Sequence, residues 1–149
     1  MKVVIFCGVV VMGVVCSPAN SAELGPSGIV VYRLASRLSK LPIPDRPPEM
    51  HAVPHDELIK TAGCRCPSIK ALQRGNDIFL DETLDMTDIQ NIAVLLHEFV
   101  HHLQWANAGP AAGCREWVDR EIVAYQLQNE MLYRAGAHLA QPPPFPECR

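Results

Sequence analysis

The chain has 149 residues and a formal net charge of −3, with 48% hydrophobic and 19% charged residues, which suits one domain around a single modest core. No basic run or patch occurs, so the electrostatic footprint of a nucleic-acid binder is missing and no nucleic acid is expected as a partner. Six cysteines point to an oxidising compartment.

Lys2 is followed by an uncharged apolar run, Val3 to Val15, and then by the small and polar residues Cys16 to Ala22. That order of charge, apolar core and small residues is the layout of a secretory signal peptide, with cleavage expected after Ala22. The run is short for a bilayer span. A lipidated Cys16 is the lesser alternative, because Val15 is bulkier than such a site usually tolerates. The expected organisation is a signal peptide over 1–22 and one domain over 23–149, about 127 residues, exported to the periplasm or secreted, with no stable membrane span once the leader is removed.

Four cysteines remain in that domain: Cys64, Cys66, Cys114 and Cys148. An even count in an exported chain predicts two disulfides. Cys64 and Cys66 are too close in sequence to pair without strain, so their expected partners are Cys114 and Cys148, in one of two arrangements left open. A cysteine zinc site is the weaker reading, since Cys-x-Cys without a second close pair is poor spacing and oxidation removes the thiolates.

Apolar residues at helical spacing (Ile29, Val30, Leu34, Leu38, Leu41) predict a helix over 28–40. Proline then dominates from Pro42 to Pro48, an extended connector. Residues 49–53 read as a short strand, and 54–63 as a short helix with Pro near its start and Gly at its end. Two short runs, 66–72 and 77–81, flank Gln73-Arg-Gly-Asn76, a hairpin signal. Thr87-Asp88-Ile89-Gln90 has the form of a capping box for a helix that Gly109-Pro110 closes. A third long helix is expected from Cys114 to Arg134, and the proline-rich tail from Gln141 to Pro146 cannot be helical.

The second long helix carries His97-Glu98-Phe99-Val100-His101. Residues four apart lie one turn above each other on one helix face, so His97 and His101 project side by side, as two ligands of one tetrahedral zinc require. Glu98 lies on the adjacent flank, the place of a general base acting on water at the metal. His102 is five residues from His97 and points about 140° away, which predicts a surface or supporting role. The helix is otherwise apolar on this side (Ile89, Ala93, Leu96, Val100, Leu103), and polar groups set into such a face need partners.

A catalytic zinc site needs a third protein ligand and an open position. Glu116, Asp119, Glu121 and Glu130 follow on the third helix. Only Glu121 shares the face of Trp117, Ala124, Tyr125, Gln128 and Leu132, within about 60°. It is therefore the expected third ligand.

His97-Glu98-Phe99-Val100-His101, with Glu121 twenty residues after the second histidine in Arg120-Glu-Ile-Val-Ala-Tyr-Gln-Leu-Gln128, resembles the gluzincin metallopeptidases. It is most similar to small bacterial zincin-like proteins of the minimal gluzincin type, over residues 77–132. The resemblance implies an α+β zincin-like minimal domain, in which a small antiparallel or mixed sheet packs on the His-Glu-x-x-His helix and on a glutamate-ligand helix. It implies zinc held by His97, His101 and Glu121, catalysis by Glu98, a peptide or protein substrate, and Asp77–Asp81 as the edge strand beside which an extended peptide lies. Larger gluzincins place an aspartate where this chain has Tyr125, and use a further domain for the oxyanion donor. Tyr125, His102, Tyr133 and His138 are the candidates here, with none preferred. The expected function is zinc-dependent peptide-bond hydrolysis. The alternatives are a zinc-containing binding module without useful turnover and a disulfide-held structural domain.

Overall fold

In the computed structural model, which describes residues 21–22, 24–63 and 66–148, the chain runs β1 (Ser21–Ala22), α1 (Pro26–Ser39), β2 (Glu49–Val53), α2 (His55–Ala62), β3 (Ala71–Arg74), β4 (Asp77–Asp81), α3 (Ile89–Ala108) and α4 (Cys114–Arg134). The fold class is α+β. The expected leader lies outside the described residues except for Ser21 and Ala22, which pair antiparallel with β2.

The sheet is mixed, in the order β1-β2-β4-β3. β3 and β4 form the expected antiparallel hairpin, and Gly75, at φ +63, supplies the left-handed residue of its turn. β2 lies parallel to β4, Met50 opposite Ile78, and both residues face the core. This arrangement corrects the expected docking edge. Asp77–Asp81 is hydrogen-bonded on both sides, to β2 and to β3, so its backbone is already used. The edge strands are β1 and β3. Parallel pairing between segments separated by a helix and a strand leaves no local sequence signal.

Helix boundaries follow local chemistry. Pro26 opens α1, where its missing N–H costs no hydrogen bond, and Gly63 closes α2 at φ 66 with its N–H returned to Ile59 and Lys60. The N-cap of α3 is Asp88, whose carboxylate accepts the Gln90 N–H at 2.9 Å. The expected Thr87–Gln90 capping box does not form, because Asp85 captures both the backbone N–H and the hydroxyl of Thr87.

α3 is the centre of the molecule. Leu95, Leu96, Phe99, Val100 and Leu103 on α3 join Tyr32 and Ala35 of α1, Met50 and Ile78 of the sheet, and Ala124 of α4 in one buried cluster. Each such side chain taken from water contributes roughly 1.5–3 kcal/mol. Because α1 covers the side of α3 turned away from α4, His102 is not at the surface as expected but fully buried. Its Nδ1 shares a hydrogen bond with the Tyr32 hydroxyl (2.9 Å), and its Nε2 meets Asn76 Oδ1 (3.1 Å). Burial holds its pKa down to about 4, so the ring is neutral near pH 7.

Cys114 pairs with Cys148, so neither expected arrangement, which joined these two to Cys64 and Cys66, is formed. The reason is the path of the chain after α4. It turns back at Gly136 (φ +67) and brings Cys148 to the start of the same helix, 5.6 Å between Cα atoms. Cys64 lies outside the described residues, and Cys66 has a partner of its own.

At the end of β4, Asp81 ties three segments together. It accepts from Thr83 N–H (2.9 Å) and Oγ1 (2.7 Å) and pairs with His55 Nδ1 (2.6 Å), while His55 Nε2 meets the Pro67 carbonyl oxygen (3.1 Å). The two Thr83 hydrogen bonds, ahead of His55, hold the Asp81 carboxyl below its usual pKa. A depressed carboxyl stabilises the fold above its unfolded-state pKa and loses that contribution as pH falls through the folded-state value. Asp81→Ala is expected to cost about 1–3 kcal/mol at pH 7. In urea denaturation the gap from wild type should shrink below pH 4, and a gap independent of pH would refute the linkage.

Candidate metal centre

His97 and His101 lie on successive turns of α3, and Glu121 reaches them from the facing side of α4. The Nε2 atoms of the two histidines are 3.0 Å apart. Glu121 Oε2 is 3.3 Å from His97 Nε2, and Oε1 is 3.2 Å from His101 Nε2. Three expected ligand residues thus converge, with their donor atoms inside 4.8 Å of one another. Donors about 2.0–2.2 Å from a tetrahedral ion lie roughly 3.3 Å apart, so the group has the spacing of one ion's first ligands. Two imidazoles and a carboxylate suit zinc and related transition metals. They suit calcium and magnesium poorly, because those ions take oxygen ligands.

Each imidazole is held from behind. His97 Nδ1–H donates to Gln128 Oε1 at 3.1 Å, and His101 Nδ1–H donates to Gln104 Oε1 at 3.0 Å. Gln104 Nε2 in turn donates to the Arg120 carbonyl oxygen at 3.4 Å, which sets the orientation of that amide. With each Nδ1–H committed to a glutamine, it is Nε2 that faces the shared point, and loss of its proton would leave a lone pair there for a metal. Sequence reading missed both glutamines as parts of the site. The available signal was spacing: Gln104 follows His101 by three residues and Gln128 follows Glu121 by seven, each on its ligand's helix face.

Electrostatics bind the three groups together. Burial works to raise the Glu121 pKa, yet hydrogen bonds from His101 and His97 bring it down to about 2. Burial works to lower that of His101, but its hydrogen bond to Glu121 and the charges of Glu98 and Glu121 raise it above the usual value. Protons and a cation therefore compete for the same atoms.

The three residues open on a cavity of about 440 Å³ that is also lined by Glu98, Trp105, Trp117, Tyr125 and the β3 strand. Glu98 is buried and lines the cavity without joining the convergent trio. Tyr125 places its ring 4.5 Å from that of His97. Burial, then the charges of Glu121 and Glu98, push its hydroxyl pKa up, so it remains a proton donor. The other oxyanion candidates are elsewhere. His102 is in the core, Tyr133 is 74% exposed, and His138 does not line the cavity.

A second group, Glu49, His51 and Asp77, also gathers potential ligands. Its atoms are already engaged, His51 with Asp77 at 2.7 Å and Glu49 with Arg46.

Residues 34–140 match the family described as "Domain of unknown function (DUF6647)", and the chain belongs to that family. The match spans both ligand-bearing helices. Nothing among the curated proteins matches the chain, and nothing among the solved structures does.

One divalent transition-metal ion per chain is expected on dialysis against zinc, measured by elemental analysis, and Glu121→Ala should abolish it. Gln128→Leu should keep the stoichiometry and weaken affinity about 10–100-fold. Affinity should fall as the pH drops through the histidine range, because protonated imidazole cannot ligate. Equal metal content in wild type and Glu121→Ala would rule out this centre.

Proposed function

We propose that this protein is a zinc-dependent peptide hydrolase, a zincin-like minimal domain working in an exported compartment. One observation carries the reading: His97, His101 and Glu121, from two different helices, converge at ligand spacing on a cavity that Glu98 and Tyr125 also line. The leader-like residues 1–22 and the Cys114–Cys148 disulfide support export.

His97, His101 and Glu121 would hold the zinc, which would supply Lewis acidity to the scissile carbonyl and to water. Glu98, one residue after the first ligand, accepts the proton of the attacking water and passes it to the leaving amine. Tyr125, kept protonated, donates a hydrogen bond to the carbonyl oxygen as negative charge gathers on it. Gln104 and Gln128 hold the imidazoles in the tautomer that ligates. The free edge of β3 offers unpaired backbone groups to an extended peptide, in place of the β4 edge. Trp105 and Trp117 line the cavity beside it and suit an apolar substrate side chain.

Glu98→Gln is expected to keep wild-type zinc content and lose peptide hydrolysis by at least about 100-fold. Tyr125→Phe should lower kcat about 10²–10³-fold with little change in KM. Mass spectrometry of unfolded polypeptides incubated with each variant reads both effects. A zinc-loaded wild type that cleaves none of them would leave a zinc-containing binding module instead.

A further inference from the structure

The C-terminal segment does more than close a disulfide. After α4 it runs back along the full length of that helix, from Gly136 to Cys148. About eleven extended residues at roughly 3.1 Å each match the ~31 Å length of a helix of 21 residues. Three kinds of anchor hold it. Asn129 makes a paired contact with the Ala140 backbone, accepting its N–H at 2.7 Å and donating to its carbonyl at 3.0 Å. Phe145 meets the rings of Trp117 and Tyr125 edge-on, with centroids 6.4 and 6.3 Å away. Cys148 is bonded to Cys114. Between these anchors, three consecutive prolines stiffen the chain.

This strap faces the metal-ligand cluster. A second cavity, about 650 Å³, is lined by His97, Glu98 and Tyr125 but not by Trp105 or Trp117. Its lining also includes Ala140, Gln141 and Pro143 of the strap and the segment 66–71 leading into β3. His97, Glu98 and Tyr125 line both cavities, so together they form one cleft that passes the ligand cluster. The strap lines the second of the two cavities and not the first.

The geometry points to the strap as a substrate-positioning wall: Ala140, Gln141 and Pro143 confine an extended, unfolded polypeptide against the segment that leads into β3, and Phe145, which lines neither cavity, is a positioning residue for Trp117 and Tyr125. This deepens the peptide-hydrolase reading and rests on it. It names the substrate class as extended chain, because the cavity is lined by the strap, the segment 66–71 and both helices, and a single strand enters such a space more readily than a folded surface. The family match ends at residue 140, inside the strap. Reduction of Cys114–Cys148 by a dithiol yields two thiols and the oxidised dithiol, and frees the far end of the wall.

The test compares zinc-loaded wild type, Phe145→Ala, Phe145→Tyr and the double variant Cys114→Ser/Cys148→Ser. The probe is reduced, carboxymethylated lactalbumin, with native lactalbumin as the folded control. Binding is measured by calorimetry in a Glu98→Gln background, hydrolysis in the Glu98 background, and zinc content and melting temperature in all. Phe145→Ala and the double variant are expected to keep their zinc and to raise the Kd and KM for the unfolded probe about tenfold. Phe145→Tyr should restore binding, and native lactalbumin should not bind. Unchanged Kd and KM in both variants would overturn the wall, as would the absence of any probe binding by the Glu98→Gln protein. A zinc-loaded wild type that binds the probe in a strap-dependent way but hydrolyses nothing would overturn only the hydrolase reading.

Discussion

Helix α3 has no solvent face through its middle turns. His97, Glu98 and His102 sit among Leu96, Phe99, Val100 and Leu103 with little or no exposure. Polar groups in that position cost several kcal/mol unless something inside the protein answers them. Much of the remaining structure supplies those answers. α1 brings Tyr32 to His102, the β3–β4 turn brings Asn76, and α4 brings Gln128 and Glu121 to the two ligand-type histidines. Among the described residues, no buried side-chain nitrogen or oxygen is left without a partner. The helix that carries the candidate chemistry is also the one around which the core is assembled.

That dual role explains how rigid the candidate site is. Side chains on two packed helices, braced by Gln104 and Gln128, hold three donor atoms within a few tenths of an ångström of tetrahedral spacing. Two loosely tethered loops would lose that spacing to thermal motion. The cleft borders the free edge of β3 on one side and the proline-rich strap on the other, elements held by a few hydrogen bonds, ring contacts and a disulfide.

The proposed hydrolase needs little more than this framework. Glu98 lies on the helix of the two histidines and Tyr125 on that of Glu121, four residues later, so on the proposed reading the same two elements would provide ligands, base and hydrogen-bond donor. Gln104 and Gln128 set the orientation of the two imidazoles.

What the sequence determined by itself is whatever depends on helical periodicity and short-range turn chemistry. The extents of α4 and β4, the hairpin, and the choice of Glu121 over Glu116, Asp119 and Glu130 all follow from a 3.6-residue repeat or from Gly and Pro placement, which are local properties. Only the tertiary structure decided which neighbours cover each face. Thus His102, which points away from the candidate metal centre, became a core residue once α1 closed over it. Asp77–Asp81 lost its role as an edge once β2 paired with it in parallel. Cys114 met Cys148 because the tail folds back along α4. Gln128 met His97 only when α4 docked on α3. Periodicity specifies where a side chain points, but its partner depends on contacts between residues far apart in the chain, and those are set by packing.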